Sequence, residues 1–478
     1  MKKILLVLLF LSLTVRSFSQ QFSLLNSGTL YDSFENPSQR AFIPDTSKMY
    51  AFNFLLPNFN ADLALTGDAQ ASLKSRLFLS KYNNSELKID DDKFNQAVTN
   101  VNIYILMAKV YSSLNGDEEL GISWQLKMDG KASFSDESIA ALNGPASFNS
   151  GKNYTDIFDD RYYYQTYHQI SFTYRERINN QLALGFKFSL LAGVEYQKLN
   201  IYSSNATFDG VADSVRANLQ GTYQAGFIPG QFTSRDYLPT LRSPGAAISA
   251  GGTYTTEDNV NIQGNIKDLG FIHWSSRSNT YNFNNSATFL NITSPSREDT
   301  IYNGVRSIIH NNAVEGSFTT PIDGRAELSV NKIYYLDDDH QFKYAPTLVA
   351  SKELFYTGYD VALVNPIQYQ KYVVTLTPTY DALTALSMGF QFMMKTPQWE
   401  FFVGSDRLFQ TVSFTSGALS KSASSIAENP AYTGANFFIG FSLKLGPVIE
   451  HHMNASSIPT GEPGFLGRLF GRLFKTYE

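Results

Sequence analysis

The side chains able to do chemistry are few and scattered. Six histidines stand at His168, His273, His310, His340 and the adjacent pair His451-His452 beside Glu450. A metal site needs several donors that converge, and neighbouring His side chains on a strand or turn diverge, so the pair argues against a ligand set. The runs Asp90-Asp91-Asp92 and Asp337-Asp338-Asp339 carry charge enough for calcium in an outer loop. Neither has the spaced oxygen donors and central Gly of a calcium loop, and both are read as solvated turns. In GPASFNSGK, Gly144 to Lys152, six residues separate the glycines and Asn153 follows the lysine. A phosphate-binding loop needs four residues there, then Ser or Thr for magnesium. The chain has no G-x-S-x-G turn, no H-E-x-x-H pair and no cysteine, so nucleophile-elbow, zincin and thiol chemistries have no residues to use. Only a Ser, His and acid brought together from distant strands would escape such a search. The expectation is a protein that is not an enzyme and has no cofactor.

What remains is a set of polar residues at regular spacing. The run YYYQTYHQISFTYRER from Tyr162 turns at Ile178-Asn179-Asn180-Gln181 and returns as LALGFKFSLLAGVEYQKLNIY to Tyr202. Successive strand side chains point to opposite faces. Gln165, Gln169 and Arg175 therefore share one face of the outgoing run, and Lys187 and Glu195 share one face of the return. Opposite them lie Ile170 and Phe172, then Leu184, Phe186, Phe188 and Leu190. Soluble strands alternate too, but they average about 5 to 6 residues, whereas a tilted strand crossing a bilayer needs about 9 to 11. These runs are longer still. Tyr164, Tyr174 and Tyr196 near the ends of the apolar face would suit interfacial girdles. The hairpin is read as transmembrane, against the alternative of a large twisted soluble sheet, with its polar residues facing a lumen as a pathway or as a polar network filling a closed barrel.

The rest of the chain agrees. Hydrophobic residues make up 43% and aromatics 14%, with 28 Tyr and 37 Phe, yet the mean hydropathy is only -0.20. Apolar residues placed one in two along strands give that combination. No segment after the N-terminus approaches 18 apolar residues in a row, so a membrane crossing has to use strands closed into a barrel. Residues 1–20 read as a secretory signal: Lys2 and Lys3, an apolar core from Ile4 to Leu13, and small residues before a cut near Ser19 or Gln20. No Cys follows to carry a lipid anchor. The net charge is -5, and losing Lys2, Lys3 and Arg16 makes the mature chain more acidic, so no nucleic-acid partner is expected.

In order, residues 21–47 carry turn formers and little alternation, and read as a periplasmic arm or a plug within the lumen. Residues 48–446 read as the barrel. Candidate strands are Met49 to Leu55, Val101 to Ser113, Gly121 to Ser133, the central hairpin, Ala246 to Thr256, Val260 to Trp274, Tyr281 to Thr293, Ala326 to Leu336, Gln341 to Ala350, Tyr372 to Tyr380, Ala385 to Met394, Glu400 to Asp406 and Ala435 to Leu445. That tally is about fourteen, with twelve or sixteen open because short and long connections do not alternate between Trp274 and Tyr372. Residues 447–478 read as a tail in which Phe465, Leu469, Phe470, Leu473 and Phe474 recur at helical spacing among basic residues. Such a helix would pack under the barrel, lie on the inner leaflet or dock a partner.

Asn36-Pro37-Ser38 near the mature N-terminus, KDLGFIHW from Lys267 to Trp274 and the repeated hairpins together resemble FadL-like outer-membrane barrels. More narrowly they are similar to a branch found beside type 9 secretion proteins such as PorV. Ser38 stands where Ala is more usual. The resemblance implies an all-β, antiparallel, up-and-down barrel of about fourteen strands with its N-terminal segment inside the lumen. It also implies passive passage of small hydrophobic molecules across the outer membrane, Asn36, Pro37 and Ser38 as hatch residues, and Asp268 as a turn or lumen residue. The alternative function is a non-enzymatic scaffold that holds a periplasmic or secretion-system protein. Partners expected are therefore outer-membrane lipid, a hydrophobic small molecule and a periplasmic or secretion-system protein.

Overall fold

Alternation of period two closes a single sheet on itself. The computed structural model describes residues 28–43, 46–53, 56–91, 93–112, 117–227, 237–356, 358–381, 385–420, 426, 432–449 and 465–466. The signal segment, His451-His452 and tail residues Leu469, Phe470, Leu473 and Phe474 lie outside them. The wall is a closed antiparallel barrel of 14 strands. They are β1 (Lys48–Phe52, resuming as Asn58–Thr66), β2 (Phe94–Ser112), β3 (Glu118–Ser135), β4 (Arg161–Arg177), β5 (Leu182–Asp209), β6 (Pro244–Thr255) and β7 (Val260–Trp274). Then come β8 (Arg325–Lys332, preceded by Phe318–Pro321 on the same neighbour), β9 (Thr347–Glu353), β10 (Tyr359–Tyr369), β11 (Tyr372–Asp381), β12 (Ala385–Lys395), β13 (Trp399–Ser405) and β14 (Thr433–Val448). Closure comes from β14 pairing with both parts of β1, as in Phe52↔Leu443 and Phe59↔Ile439.

The outer face is apolar where it should meet lipid. Phe172 and Phe188 are directly paired across β4 and β5, Phe188 is paired with Ile248 of β6, and all three are exposed, at 51%, 49% and 55%. The residues between them on the other face, Ser171, Thr173, Lys187 and Ser189, are buried. This inversion, apolar out and polar in, is the reverse of a soluble core and the signature of a membrane-spanning barrel.

Both ends of the barrel follow from chain lengths. Turns such as 178–181, 256–259 and 370–371 sit at the end where β1 begins and β14 finishes. The Asp337 run lies at this same end and not in a long loop. There the Asp337 carboxylate accepts from the backbone N–H of Gln341 and Phe342, at 3.0 and 2.8 Å, which explains the cluster as a turn. At the opposite end β5, 28 residues long, rises beyond the wall. Its upper half pairs with Ser214–Ala225, which pairs with Asn279–Leu290. The helix Arg297–Ile309 packs there, around Phe148, Phe208, Phe283 and Phe289. This cap explains the irregular connections between Trp274 and Tyr372: Tyr281 to Thr293, expected as a barrel strand, belongs to the cap, while β10 was not anticipated.

Candidate functional site

The lumen is occupied by residues 28–43, an arm that enters from the short-turn end. Within it α1 (Leu30–Glu35) is a six-residue helix with Thr29 as N-cap, whose hydroxyl accepts from Asp32 N–H. The helix is buried all round because it divides the lumen in two. Leu30, Tyr31 and Phe34 pack on an apolar side with Met107, Met393 and Phe438, and Tyr31 lies 5.5 Å from Tyr104 and 5.6 Å from Phe402 between ring centres. Glu35 points the other way. Its carboxylate accepts from the Tyr104 hydroxyl at 2.7 Å and from the Asn102 amide at 3.2 Å, and pairs with Lys267.

Wall residues also satisfy the backbone of the arm. Leu30 N–H donates to Glu400, Ala41 N–H to Glu119, Lys444 to the Ala41 carbonyl and Arg175 to the Ser38 carbonyl, all at 2.8 to 3.0 Å. A segment with so little regular structure would otherwise bury unpaired peptide groups. These bonds come from scattered strands, so the arm is fitted to this barrel and to no local partner.

Asn36, Pro37 and Ser38 lie against the wall. The Asn36 side-chain oxygen accepts from Ser38 N–H at 3.1 Å and from its hydroxyl at 2.8 Å, closing a turn on itself, while its amide donates to Gln263. The Ser38 hydroxyl also lies 2.8 Å from that of Thr253 on β6, a contact alanine could not make. Two glycines in register, Gly185 on β5 and Gly251 on β6, leave room for this turn. A Cβ on Gly185 would fall 2.0 Å from the Pro37 carbonyl oxygen, and one on Gly251 2.3 Å from the Asn36 side-chain oxygen. No side chain fits either place.

Gln169, Lys187 and Asp268 are brought together one level further in. Asp268 is fully buried, with Lys187 Nζ at 3.0 Å, Lys127 paired to its other oxygen and the Gln169 amide donating at 2.9 Å. Two residues of β7, Lys267 and Asp268, oppose the single Ser249 of β6, a bulge that sets Asp268 at φ 52°. The bulge puts both charged side chains inside. Arg175 lies nearer the short-turn end, 3.5 Å from Glu119. Gln165 lies on the other side of the Asp268 cluster, accepting from the Tyr163 hydroxyl and donating to Thr320. There the lumen is filled by rings: Tyr163, Tyr167, Tyr196, Trp274 and the partly buried Phe318 and Tyr356. Tyr196 and Trp274 are 5.4 Å apart, Tyr163 and Tyr356 4.9 Å.

Glu195 is not brought to this set. On β5 the partner of Tyr167 is Gly193 and that of Thr166 is Glu195, so Val194 is an extra residue and the faces exchange there. Glu195 then lies on the side of Thr166, bonded to Gln197, which in turn accepts from Tyr162 and Tyr223 beneath the cap.

Sequence reading missed Glu35, Lys127, Lys267, Glu119, Glu400 and Lys444. Lys127 sits at an alternating position of QLKMDGKAS, and Lys267 adjoins Asp268, so these two carried a signal; Glu35, in a short non-periodic helix, had none. Below the arm a cavity of about 940 Å³ opens toward the short turns, where Asn179 and Asn259 line its mouth. Of the tail, Phe465 and Leu466 are described: their N–H groups donate to Tyr174 and Glu176 at the same end, and Leu466 is buried. Among the described residues no group of His, Asp or Glu is placed to hold a metal ion.

The sequence model of DUF5723, a family of unknown function, matches residues 41–406. No curated protein matches the chain. Among solved structures it is similar to a mutant of the TodX monoaromatic hydrocarbon channel, at 7% identity and TM-score 0.43, over 91% of this chain and 96% of that one. The Pseudomonas putida toluene transporter TodX is also similar, at 7% identity and TM-score 0.42, over 86% and 93%. A Pseudomonas aeruginosa FadL homologue is similar at 11% identity and TM-score 0.39, over 89% and 95%.

Proposed function

The chain belongs to the DUF5723 family, and we propose that it is a gated outer-membrane barrel through which small hydrophobic molecules pass passively, with residues 28–43 as the gate. The observation that carries this reading is the character of the closure. A separable segment, held by side-chain bonds and seated on two glycines, stops the lumen at one level, and aromatic rings fill it at another. At the level of the rings the space suits an apolar solute that displaces them, while the level of the arm and the cavity below it keep charged linings. Short turns of such barrels face the periplasm and longer connections the outside, which supports a periplasmic position for the arm and the 940 Å³ cavity.

Gly185→Val tests the gate. Its side chain and the Pro37 carbonyl cannot occupy the same space, so the arm must leave its seat. Intact cells carrying the variant are expected to take up the apolar fluorescent probe N-phenylnaphthylamine several-fold faster than cells carrying the wild type. Equal uptake, with the arm shown by limited proteolysis to be displaced, would count against a gate. A second reading, a scaffold for a periplasmic or secretion-system protein as the PorV-type likeness implies, draws on one observation. Phe465 and Leu466 are anchored at Tyr174 and Glu176, beside the periplasmic mouth, where a partner would meet the tail.

A further inference from the structure

The cavity beneath the arm is lined by more cations than carboxylates. Arg40, Arg175, Arg177, Lys332, Lys343 and Lys395 line it, against Asp117, Glu119 and Asp258. Two of those carboxylates are already engaged. Glu119 takes Lys109, Arg175 and the Ala41 N–H, and Asp117 takes Arg177 and the Tyr111 hydroxyl. Asp258, on an exposed hairpin turn at the rim, makes no ion pair with any cation of the cavity among the described residues.

Lys395 donates to the Gly28 carbonyl and Lys332 lies over the Tyr334 ring, and Arg40 and Lys343 remain. Arg40 extends from the arm into the open space and makes no ion pair within 4 Å among the described residues, its attraction to Glu119 and Asp117 acting only at longer range. Lys343 stands on the wall, on the short strand Phe342–Tyr344 that pairs with β10. It lines the same cavity as Arg40, whose like charge adds to burial in disfavouring its ammonium. Like charges lining one partly enclosed space repel, and the arrangement costs stability unless an anion joins them there. The space is of a size that holds a small ligand.

We propose that this cavity binds a tetrahedral oxyanion of the phosphate type between Arg40 of the arm and Lys343 of the wall. A guanidinium takes two oxygens of such a group as a fork, an ammonium takes a third as a point charge, and a dianion matches two cations. A carboxylate, with two oxygens and one charge, would leave half of the set unmet. Because Arg40 belongs to the arm and Lys343 to the wall, the bound anion bridges them and tightens the closed state, in addition to the passage proposed above. The same phosphate chemistry is offered by free phosphate in the periplasm and by the monoester head group of a lipid.

The test uses the full chain in a non-ionic detergent and phosphate-free buffer, titrated calorimetrically with sodium phosphate against sodium chloride at matched ionic strength. A second titration uses dihexanoyl phosphatidic acid. Saturable binding of phosphate, weakened about tenfold or more in both Arg40→Gln and Lys343→Gln, supports the site with free phosphate as its source. Saturable binding of phosphatidic acid alone, with the same loss in the variants, supports it with the lipid head group as the source. Absence of saturable binding to either probe, or binding unchanged in both variants, overturns it. Thermal unfolding guards against misfolded variants: without phosphate, Lys343→Gln should melt at or above the wild type, because a repulsion has been removed, and with phosphate the wild type should overtake it. Nothing is transported in detergent, so failure here leaves the passage reading standing, and the reverse.

Discussion

Asp268→Asn is expected to destabilise the barrel by about 3 to 5 kcal/mol, the cost of leaving buried charges without their counter-charge. Asp268 is fully buried between Lys127 and Lys187, with Lys267 adjacent. Asparagine keeps the shape and tolerates the left-handed backbone at φ 52°, so the substitution removes the charge with little else. Lys187→Met should cost clearly less, because Asp268 keeps Lys127 and the Gln169 amide. Urea unfolding of detergent-solubilised protein, followed by the gel shift between folded and unfolded barrel, measures both. Equal midpoints for Asp268→Asn and wild type would mean that the polar network fills space without holding the wall.

Phe188→Arg is expected to cost about 2 to 4 kcal/mol of folding into a bilayer, the penalty for a cation on the lipid face near the midplane. Phe188 is flanked by Phe172 and Ile248, each more than half exposed, which puts it deep in the apolar belt. Lys187, one residue away, is a buried cation in the lumen. The fraction folded in liposomes over a urea series gives the difference. A variant that folds like the wild type would mean that this face does not meet lipid.

Much of the wall was legible because its cause is local. Alternation over long runs fixes which side of β4 and β5 is apolar up to Gly193, and Lys187, Gln165 and Gln169 follow from it. The strand number was reached by two errors that cancel. Asn279–Leu290 alternates like a barrel strand, yet it pairs with the upper extension of β5 and its neighbour Ser214–Ala225 and sits in the cap. β10 contains Asn365-Pro366, which reads as a turn, although Pro366 sits within the ladder opposite Thr375. Glu195 shows the limit more sharply. A single extra residue, Val194, exchanges the faces, and nothing in LLAGVEYQ marks where.

The candidate site was legible where a side chain acts on its own turn. Asn36 closes a turn with Ser38 two residues on, so the motif carries its meaning with it. Glu35, Glu119, Glu400 and Lys444 act across more than 60 residues of sequence, on partners set only by barrel closure. Gly185 and Gly251 are small because the arm passes within contact distance, a cause that no local pattern carries.

A reversible lock on the arm puts the gate to the most direct test. The chain has no cysteine, so Ser38→Cys with Thr253→Cys, replacing hydroxyls 2.8 Å apart, introduces one disulfide between arm and wall and no competing thiol. Uptake of N-phenylnaphthylamine by intact cells should fall to that of cells lacking the protein when the pair is oxidised, and return on reduction. Uptake that is the same in both states would contradict a moving arm and leave the barrel as a scaffold.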